Sequence, residues 1–469
     1  MTPTVTLFLT VTLASLPIIA YAAVSIRRLG VGAWLFTPQP TFYFSYLLNF
    51  LVRPILFFTF NFGYGLSPFD PRVFIESQIL GTAGCWAFMA GYALLREKNL
   101  RARIGCDVGK PPMPADSRRQ TCARQLAAGL LALCCMLIYA AFVAKAGALT
   151  LNIGENRKLF LAAVIGGGYL LMLNTMSVVF ITVSVVCALY TGRMDKPGMA
   201  ALALYVIVNS LVSTRHYVTS VIYITVFVLY IQRLRMGRVI RTSRIVAGLA
   251  AILVLGVGLG LLRGGTQQKG AFLLPLAYLT ETFDMSEMLQ ETIKARLPLE
   301  WGRSWVEDVA YSFIPRQLFP NKPTVFGTTR LELEVAPGLA PLRTLVFRAV
   351  FPIGIYGEAY VNFGIPGIVL LMFGMGLFLR FASNCCLDLA YSNVPRMRHV
   401  FYLVIFGTLC ADTLGYMRTF GQFLATIGFD TLLFAVCCLV VAVGRDFVLI
   451  LTPKATPPAE TSRSLDAIR

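Results

Sequence analysis

The sequence has few charged residues and almost no histidine for a chain of its length. Lys, Arg, Asp and Glu make up 14% of the 469 residues, and the two histidines are His216 and His399. Soluble proteins carry roughly 25% charged residues, so this composition argues against a soluble globular domain. Two histidines far apart in the chain also argue against a histidine-based zinc or iron centre. We therefore predict no metal and no cofactor.

The longest polar segment, residues 264–350, has no cysteine, although the chain contains eleven. Cysteine doublets lie at 134–135, 385–386 and 437–438 within or beside apolar runs, where they are typical of small packing residues. We therefore predict that no disulfide framework stabilises the polar segment.

Long apolar runs dominate what is present, because 57% of the residues are hydrophobic. About 20 apolar residues in a helix cross the hydrocarbon core of a bilayer. The runs predict an all-α, polytopic integral membrane protein with about eleven transmembrane helices. We place the spans at 4–25, 37–60, 73–95, 125–146, 160–190, 198–213, 217–231, 245–263, 351–379, 400–417 and 421–444.

The basic residues are concentrated in alternate connections between these spans, which indicates the orientation of the chain. The connections on one side hold 24 of the 41 Lys and Arg residues but only 8 of the 23 Asp and Glu residues. This asymmetry is typical of cytoplasmic loops. It predicts an extracytoplasmic N-terminus and a cytoplasmic C-terminus, and it accounts for the net charge of +18 without any nucleic-acid partner.

The spans divide the chain into four parts. We predict about eight N-terminal transmembrane helices in 1–263, one long extracytoplasmic loop in 264–350, about three C-terminal helices in 351–444 and a cytoplasmic tail in 445–469. A loop of this length should carry helices of its own.

Two stretches of the loop have helical or amphipathic patterns, Glu281–Arg296 and Trp301–Phe313. The tryptophans of the second stretch suit the headgroup region. Pro315, Pro320 and Pro323 then favour turns or extended backbone.

Several Lys and Arg residues lie at the predicted outer ends of spans or in the loop. The concentration of basic residues in cytoplasmic loops does not account for them. Arginine binds phosphate with a planar fork of donors and stays charged in any environment. A subset is predicted to bind a diphosphate, with Arg316 as a catalytic member. The predicted ligands are Arg215, Arg263, Arg316, Lys322, Arg343 and Arg348. Arg330 belongs to the same set of outer cations, whereas a salt bridge or headgroup contact is favoured for Arg53, Arg157 and Arg418.

Glu358 and His216 are the candidate general bases. Glu358 lies between glycines near the outer start of a span, where a carboxylate beside a low-dielectric cavity can accept a proton. An ion pair with Arg348 or a helix-terminal interaction is the structural alternative for Glu358, and packing is the alternative for His216. Asp284 and Glu287 are predicted to lie on the solvated face of a loop helix.

The loop resembles that of the Wzy-type oligosaccharide repeat-unit polymerases, which make bacterial O-antigen and exopolysaccharide. The resemblance is carried by FD at 283–284, WGRSW at 301–305, FIPRQLFPNKP at 313–323 and GEAYVNFG at 357–364. Arg316, Lys322, Gly357 and Glu358 correspond to the loop motif of the family.

The resemblance implies a metal-independent membrane glycosyltransferase in the bacterial inner membrane, where the charge asymmetry predicts a periplasmic N-terminus. Its substrates would be oligosaccharides linked to undecaprenyl diphosphate, and its partners would be membrane lipids, with a chain-length regulator and a flippase as further candidates. Two alternatives stay open, an O-antigen ligase and a transporter or flippase of an anionic or lipid-linked substrate.

Overall fold

The computed structural model describes most of the apolar chain and part of the loop. All regular structure in these residues is helical, which confirms the all-α prediction. The described residues are 3–55, 70–95, 117–146, 169–191, 196–212, 215–235, 285–314, 318–323, 325–335, 353–390, 397–415 and 420–451, with the isolated positions 243, 247 and 250.

Fourteen α-helices occur in the described residues, and they fall into an N-terminal set and a C-terminal set. The N-terminal set is α1 Pro3–Leu29, α2 Val31–Trp34, α3 Pro38–Leu47, α4 Pro71–Leu94, α5 Ser117–Ala146, α6 Tyr169–Thr191, α7 Lys196–Val212 and α8 Arg215–Arg235. The C-terminal set is α9 Met285–Ala295, α10 Arg303–Phe313, α11 Gly327–Val335, α12 Gly354–Leu387, α13 Met397–Gly415 and α14 Phe420–Leu451. A π-helical turn, Leu48–Val52, continues α3, and a 3₁₀ turn, Asp388–Ala390, follows α12.

Five helices in the described part of the chain are long and apolar enough to cross a bilayer. Their apolar windows are Thr12–Leu29, Pro71–Leu94, Cys122–Ala141, Gly354–Leu387 and Phe423–Arg445. Shorter apolar helices occupy Met172–Val186, Ser220–Ile231 and Arg398–Gly407. The count of about eleven spans stays a prediction, and the expected span at 245–263 lies outside the described residues apart from two isolated positions.

Close contact between α4 and α12 fixes the position of the C-terminal helices. A Cβ atom on Gly91 would lie 2.1 Å from the carbonyl oxygen of Phe373, and one on Gly376 would lie 2.2 Å from that of Phe88. Glycines at these two positions let the helix backbones touch, as is common where apolar helices pack in membranes. These contacts hold the middle of α12 against α4, and a Cβ atom on Gly84 would lie 2.4 Å from the Tyr356 ring, so α4 also packs on the start of α12.

Three short helices occupy the described part of the long loop, and two of them lie where the sequence predicts helices, whereas α11 was not predicted. α9 lies within Glu281–Arg296, and α10 lies within Trp301–Phe313. The side of the membrane on which they lie stays a prediction.

Glu287 lies on the less buried face of α9, with a side chain that is 19% exposed and paired with Arg53. Its Oε2 atom is 3.4 Å from Nη2 of Arg53, and the Arg53 side chain is only 5% exposed. α9 packs against α4 and α12 and also contacts the π-helical turn. That turn ends directly before Arg53, which brings Arg53 close to the first turn of α9. The salt bridge expected for Arg53 is thus present, whereas Asp284 lies outside the described residues.

Candidate functional site

The structure describes two of the eight predicted site residues with their side chains, Glu358 and Lys322. Arg215 and His216 form the start of α8, and only their backbone is described. The other four predicted residues, Arg263, Arg316, Arg343 and Arg348, lie outside the described residues. The convergence of the arginines on a diphosphate therefore stays a prediction.

Glu358 of α12 is fully buried and binds the N-terminus of α14. Its carboxyl oxygens accept hydrogen bonds from the backbone N–H of Phe420, and from that of Gly421 at 3.3 and 3.4 Å. The first N–H groups of a helix have no partner within it, and the helix dipole favours a negative charge there. Glu358 thus makes the helix-terminal interaction considered above, and among the described residues no Lys or Arg contacts it.

A second buried carboxyl group, that of Asp308 in α10, lies beside Glu358. Thr328 in the first turn of α11 bridges the two acids. Its hydroxyl contacts Oδ2 of Asp308 and lies 3.0 Å from Oε1 of Glu358, and its N–H donates to Oδ2 of Asp308 at 3.1 Å. The Asp308, Thr328 and Glu358 side chains are called the acid cluster below.

The two contacts of the Thr328 hydroxyl set how many protons the acid cluster has to hold. A threonine hydroxyl has a single hydrogen to donate, whereas an ionised carboxylate only accepts. For both hydroxyl contacts of Thr328 to be hydrogen bonds, one of the two carboxyl groups has to carry a proton. The arrangement can therefore hold one proton between Asp308 and Glu358.

Glycines allow the two carboxyl groups to approach the backbone. A Cβ atom on Gly421 would lie 2.5 Å from Oδ2 of Asp308 and 3.1 Å from Oε1 of Glu358. A Cβ atom on Gly327 would lie 2.2 Å from Oδ1 of Asp308, and the φ of +55° at Gly327 is also one that favours glycine. No larger residue fits at either position without displacing the acid cluster.

Asn362 joins the start of α10 to α12. Its side-chain NH₂ donates to Oγ of Ser304 at 2.7 Å, and its side-chain oxygen accepts from the N–H of Gly302 at 2.8 Å. Its backbone carbonyl accepts from the N–H of Trp301 at 3.0 Å. That carbonyl is available because Pro366, four residues later, has no N–H to bind it.

Aromatic rings close the same junction. The ring centroid of Trp305 is 5.2 Å from that of Phe363 and 4.8 Å from that of Phe420. These contacts join α10 to α12 and to α14 next to the buried Glu358 side chain.

An ion-pair network ties α10 to α11 beside the acid cluster. Arg330 binds Glu300 in bidentate fashion at 2.6 and 2.7 Å, Glu307 at 3.2 Å and Glu334 at 2.9 Å. The hydrogen bonds that Arg330 donates to Glu300 raise the pKa of Arg330. Burial opposes ionisation of Glu307, but hydrogen bonds from Gly327 and from arginine side chains outweigh it and lower the pKa of that carboxyl group. The Arg330 guanidinium is thus engaged with three carboxylates.

Lys322 lies at the C-terminal end of α10. Its ammonium group donates to the backbone carbonyls of Tyr311 and, at 3.0 Å, of Ile314, and it lies 5.3 Å from the ring centroid of Phe326. A cation at the last carbonyls of a helix satisfies acceptors that have no partner within the helix. Whether Lys322 also binds phosphate stays a prediction.

Asp308, Thr328 and Asn362 were not singled out from the sequence. The available signal was weak: Ser304 and Asp308 are four residues apart and therefore share one face of α10. Nothing in the sequence showed that this face meets the start of α14.

The chain matches no family model, and it is similar to no curated protein and to no solved structure. The motifs and the contacts among them are therefore the basis for an assignment of function. In the described part of the chain, no group of three or more His, Cys, Asp or Glu residues could hold a metal ion.

Proposed function

We propose that this protein is a membrane glycosyltransferase that polymerises lipid-linked oligosaccharide repeat units. It would transfer the growing glycan from undecaprenyl diphosphate onto a fresh lipid-linked unit at the periplasmic face of the bacterial inner membrane. Product chains longer than one repeat unit are the defining outcome of this activity.

The observation that carries the proposal is direct hydrogen bonding between two motif segments that are far apart in sequence. Hydrogen bonds from Trp301 and Gly302 to Asn362 join the WGRSW segment to GEAYVNFG. The acid cluster, with Glu358 of the second motif, lies beside this junction. Two of the four segments on which the resemblance to Wzy-type polymerases rests therefore belong to one structural unit, which supports a shared functional role.

Glycosyl transfer from a lipid diphosphate makes two chemical demands. The leaving diphosphate has to be stabilised, and the acceptor hydroxyl has to lose its proton. Preorganised cationic donors can meet the first demand without a metal ion. We assign this role to the six cations named from the sequence, with Arg316 closest to the chemistry.

We assign the removal of the proton from the acceptor hydroxyl to Glu358, with His216 as the alternative base. The acid cluster can hold one proton between Asp308 and Glu358. Glu358 is fully buried in this structure, so contact with a sugar hydroxyl requires its carboxyl group to become exposed during the reaction. A purely structural role for Glu358, as the cap of α14, is the competing explanation that experiment has to separate.

Two substitutions at one position separate these roles. Glu358→Gln keeps an oxygen that can accept from the N–H groups of α14 but cannot take a proton, whereas Glu358→Ala removes both. We expect Glu358→Gln to give folded protein that no longer extends chains in membranes supplied with lipid-linked repeat units. Glu334→Gln, the same change on an exposed side chain, is the matched control and should retain activity. Near-normal extension by Glu358→Gln would show that Glu358 is structural.

The diphosphate-binding role is tested by Arg316→Ala. We expect loss of chain extension, because an arginine on the leaving group acts mainly in the transition state. Arg303→Ala removes an arginine whose side chain is 67% exposed, and it should leave extension nearly unchanged. If Glu358→Gln and Arg316→Ala both extend chains normally, the assignment of these residues is wrong.

The same experiments distinguish the two alternative functions. Loss of a polymerase leaves single repeat units, whereas loss of a ligase leaves full polymer on its lipid carrier. Counterflow of substrate across vesicles without bond formation would favour a transporter.

A further inference from the structure

Beyond Arg303 in its first turn, the outward face of α10 is apolar and exposed, and Leu318 and Phe319 after the helix are exposed as well. Val306 is 68% exposed and Leu318 is 79% exposed, while Phe313 and Ile314 are also exposed at the end of the helix. Val306, Ala310 and Phe313 are spaced three or four residues apart and therefore share one face. Asp308 and Ser304 are buried on the opposite side. Soluble surfaces rarely expose such a contiguous apolar stripe.

α10 runs alongside α14 in the same direction. Near its start, the Trp305 ring is 4.8 Å from that of Phe420, at the beginning of α14. At its end, the Phe313 ring would lie 2.7 Å from a Cβ atom on Gly428. The eight positions from Phe420 to Gly428 correspond to about 12 Å of helix. α10 therefore follows α14 into the first turns of its apolar window, which begins at Phe423.

The apolar stripe of α10 continues a stripe on α14. One turn beyond Gly428, α14 exposes large apolar side chains at helical spacing, namely Leu432, Val436, Leu439 and Val443. These side chains lie within Phe423–Arg445, a candidate membrane span. Phe313 covers the position that comes directly before this stripe, so the exposed surfaces of α10 and α14 adjoin.

The Lys322 side chain provides hydrogen bonds for backbone carbonyls at the end of α10. Lys322 donates to the carbonyls of Tyr311 and Ile314. Backbone groups at the edge of the hydrocarbon need partners within the protein, since water is scarce there. The aliphatic part of a lysine also tolerates apolar surroundings while its charge stays near the polar edge. This contact leaves the carbonyls of Tyr311 and Ile314 with a partner, as that environment requires.

We propose that α10 and the Leu318–Phe319 turn insert into the headgroup–acyl boundary of the bilayer, where their exposed face contacts phospholipid acyl chains. The α10 helix has 11 residues, about 17 Å in length, which is too short to span the membrane. It would lie against α14 with Asp308 facing the protein and Val306 facing lipid. The acid cluster would then lie at the depth of the lipid headgroups, where a lipid diphosphate would also be found.

The test uses the full-length chain in vesicles of phosphatidylethanolamine and phosphatidylglycerol without polyprenyl lipid. A photoreactive benzoylphenylalanine replaces Val306 or Leu318, and the same residue replaces Glu334 as the matched exposed control on α11. We expect several-fold more phospholipid adduct from positions 306 and 318 than from position 334. Equal yields at all three positions, or crosslinks from 306 and 318 to a second copy of the chain, would overturn the proposal.

A second measurement needs no substitution. A phospholipid with a photoactivatable acyl chain is irradiated with the unmodified protein in the same vesicles, and adducts are mapped by mass spectrometry. We expect adducts within residues 305–319 as well as 432–443, and none within 285–295. Adducts confined to 432–443 would show that α10 does not reach the acyl chains. Neither measurement depends on catalytic activity, so this result is separate from the proposed function.

Discussion

At the scale of single residues, one hydroxyl group connects the two buried acids. Thr328 contacts both Asp308 and Glu358 while its own N–H binds Asp308. When a buried acceptor loses its donor, no hydrogen bond offsets the free energy that its removal from water costs. The three side chains are therefore expected to act as a unit, so that changing one alters the other two.

Thr328→Val keeps the shape of the side chain and removes its hydroxyl. We expect a loss of about 1–3 kcal/mol in the free energy of unfolding, since buried carboxyl groups lose their bridging partner. Thr328→Ser retains the hydroxyl and should lose much less, about 0.8 kcal/mol for one buried methyl group. Unfolding in mixed micelles, with helicity as the signal, measures both. Equal losses in the two variants would contradict the role of the hydroxyl.

The ion pairs of Glu307 predict an acid-sensitive contact between α10 and α11. The pKa of Glu307 in the folded protein is below its ordinary value of 4.5. Its stabilising contribution is therefore fully present above pH 4.5 and is lost as the pH falls through the folded pKa. We expect the thermal midpoints of wild type and Glu307→Gln to differ at neutral pH and to converge in acid. A difference that is constant across this range would argue against the pairing.

At the scale of secondary structure, an interruption in α12 creates the docking position for α10. Gly364 has φ +66° and ψ −153°, within a helix that otherwise runs from Gly354 to Leu387. The break, with Pro366 just after it, leaves the carbonyls of Val361 and Asn362 to accept the N–H groups of Glu300 and Trp301. In a continuous helix the carbonyl of Val361 would bind the N–H of Ile365, so Glu300, next to the WGRSW segment, would lose its partner.

Gly364→Ala tests this interruption. The conformation of Gly364 is open only to glycine, so alanine should cost about 1–3 kcal/mol and loosen the contact between α10 and α12. Gly374→Ala is the matched control, because a Cβ atom there meets no neighbour within 4 Å, and the change should be neutral or stabilising by up to about 1 kcal/mol. Hydrogen exchange of the N–H groups at 300–302 reports the loosening directly. Unchanged protection in Gly364→Ala would contradict the argument.

At the scale of the whole molecule, the starts of α12 and α14 lie at the same end of the helical bundle. Glu358 near the start of α12 touches Phe420 and Gly421 at the start of α14. This agrees with the alternation of spans expected from the sequence, in which both helices begin at the outer side. The described loop helices gather at this end, since α10 packs on α14 and α9 packs on α12.

Reporter fusions test the orientation of the bundle. A reporter fused after residue 390, or at the C-terminus, should be active only in the cytoplasm, because basic residues concentrate on that side. A reporter fused after residue 323 or residue 415 should be active only outside. The opposite pattern would reverse the orientation and would place the acid cluster at the cytoplasmic face.

The sequence by itself determined the helical class, the apolar windows of the five long helices and the positions of α9 and α10. These features depend on local pattern, since hydrophobic length and periodicity decide whether a segment can be a membrane helix. Glu358 could also be chosen from local pattern as a candidate base, because it is an isolated acidic residue between glycines at the end of an apolar run. The pairing of Glu287 with Arg53 could not be predicted in this way, because periodicity does not identify the residue that meets a helix face.

Only the tertiary structure decided which polar residues share a site. Asp308, Thr328 and Glu358 come from three helices, and they meet because α4 holds α12 in place and the break at Gly364 lets α10 dock beside α14. Contacts between residues so far apart depend on helix packing and on carbonyls released from a broken helix. Neither leaves a periodic trace in the chain, so no reading of the sequence alone could have brought these three side chains together.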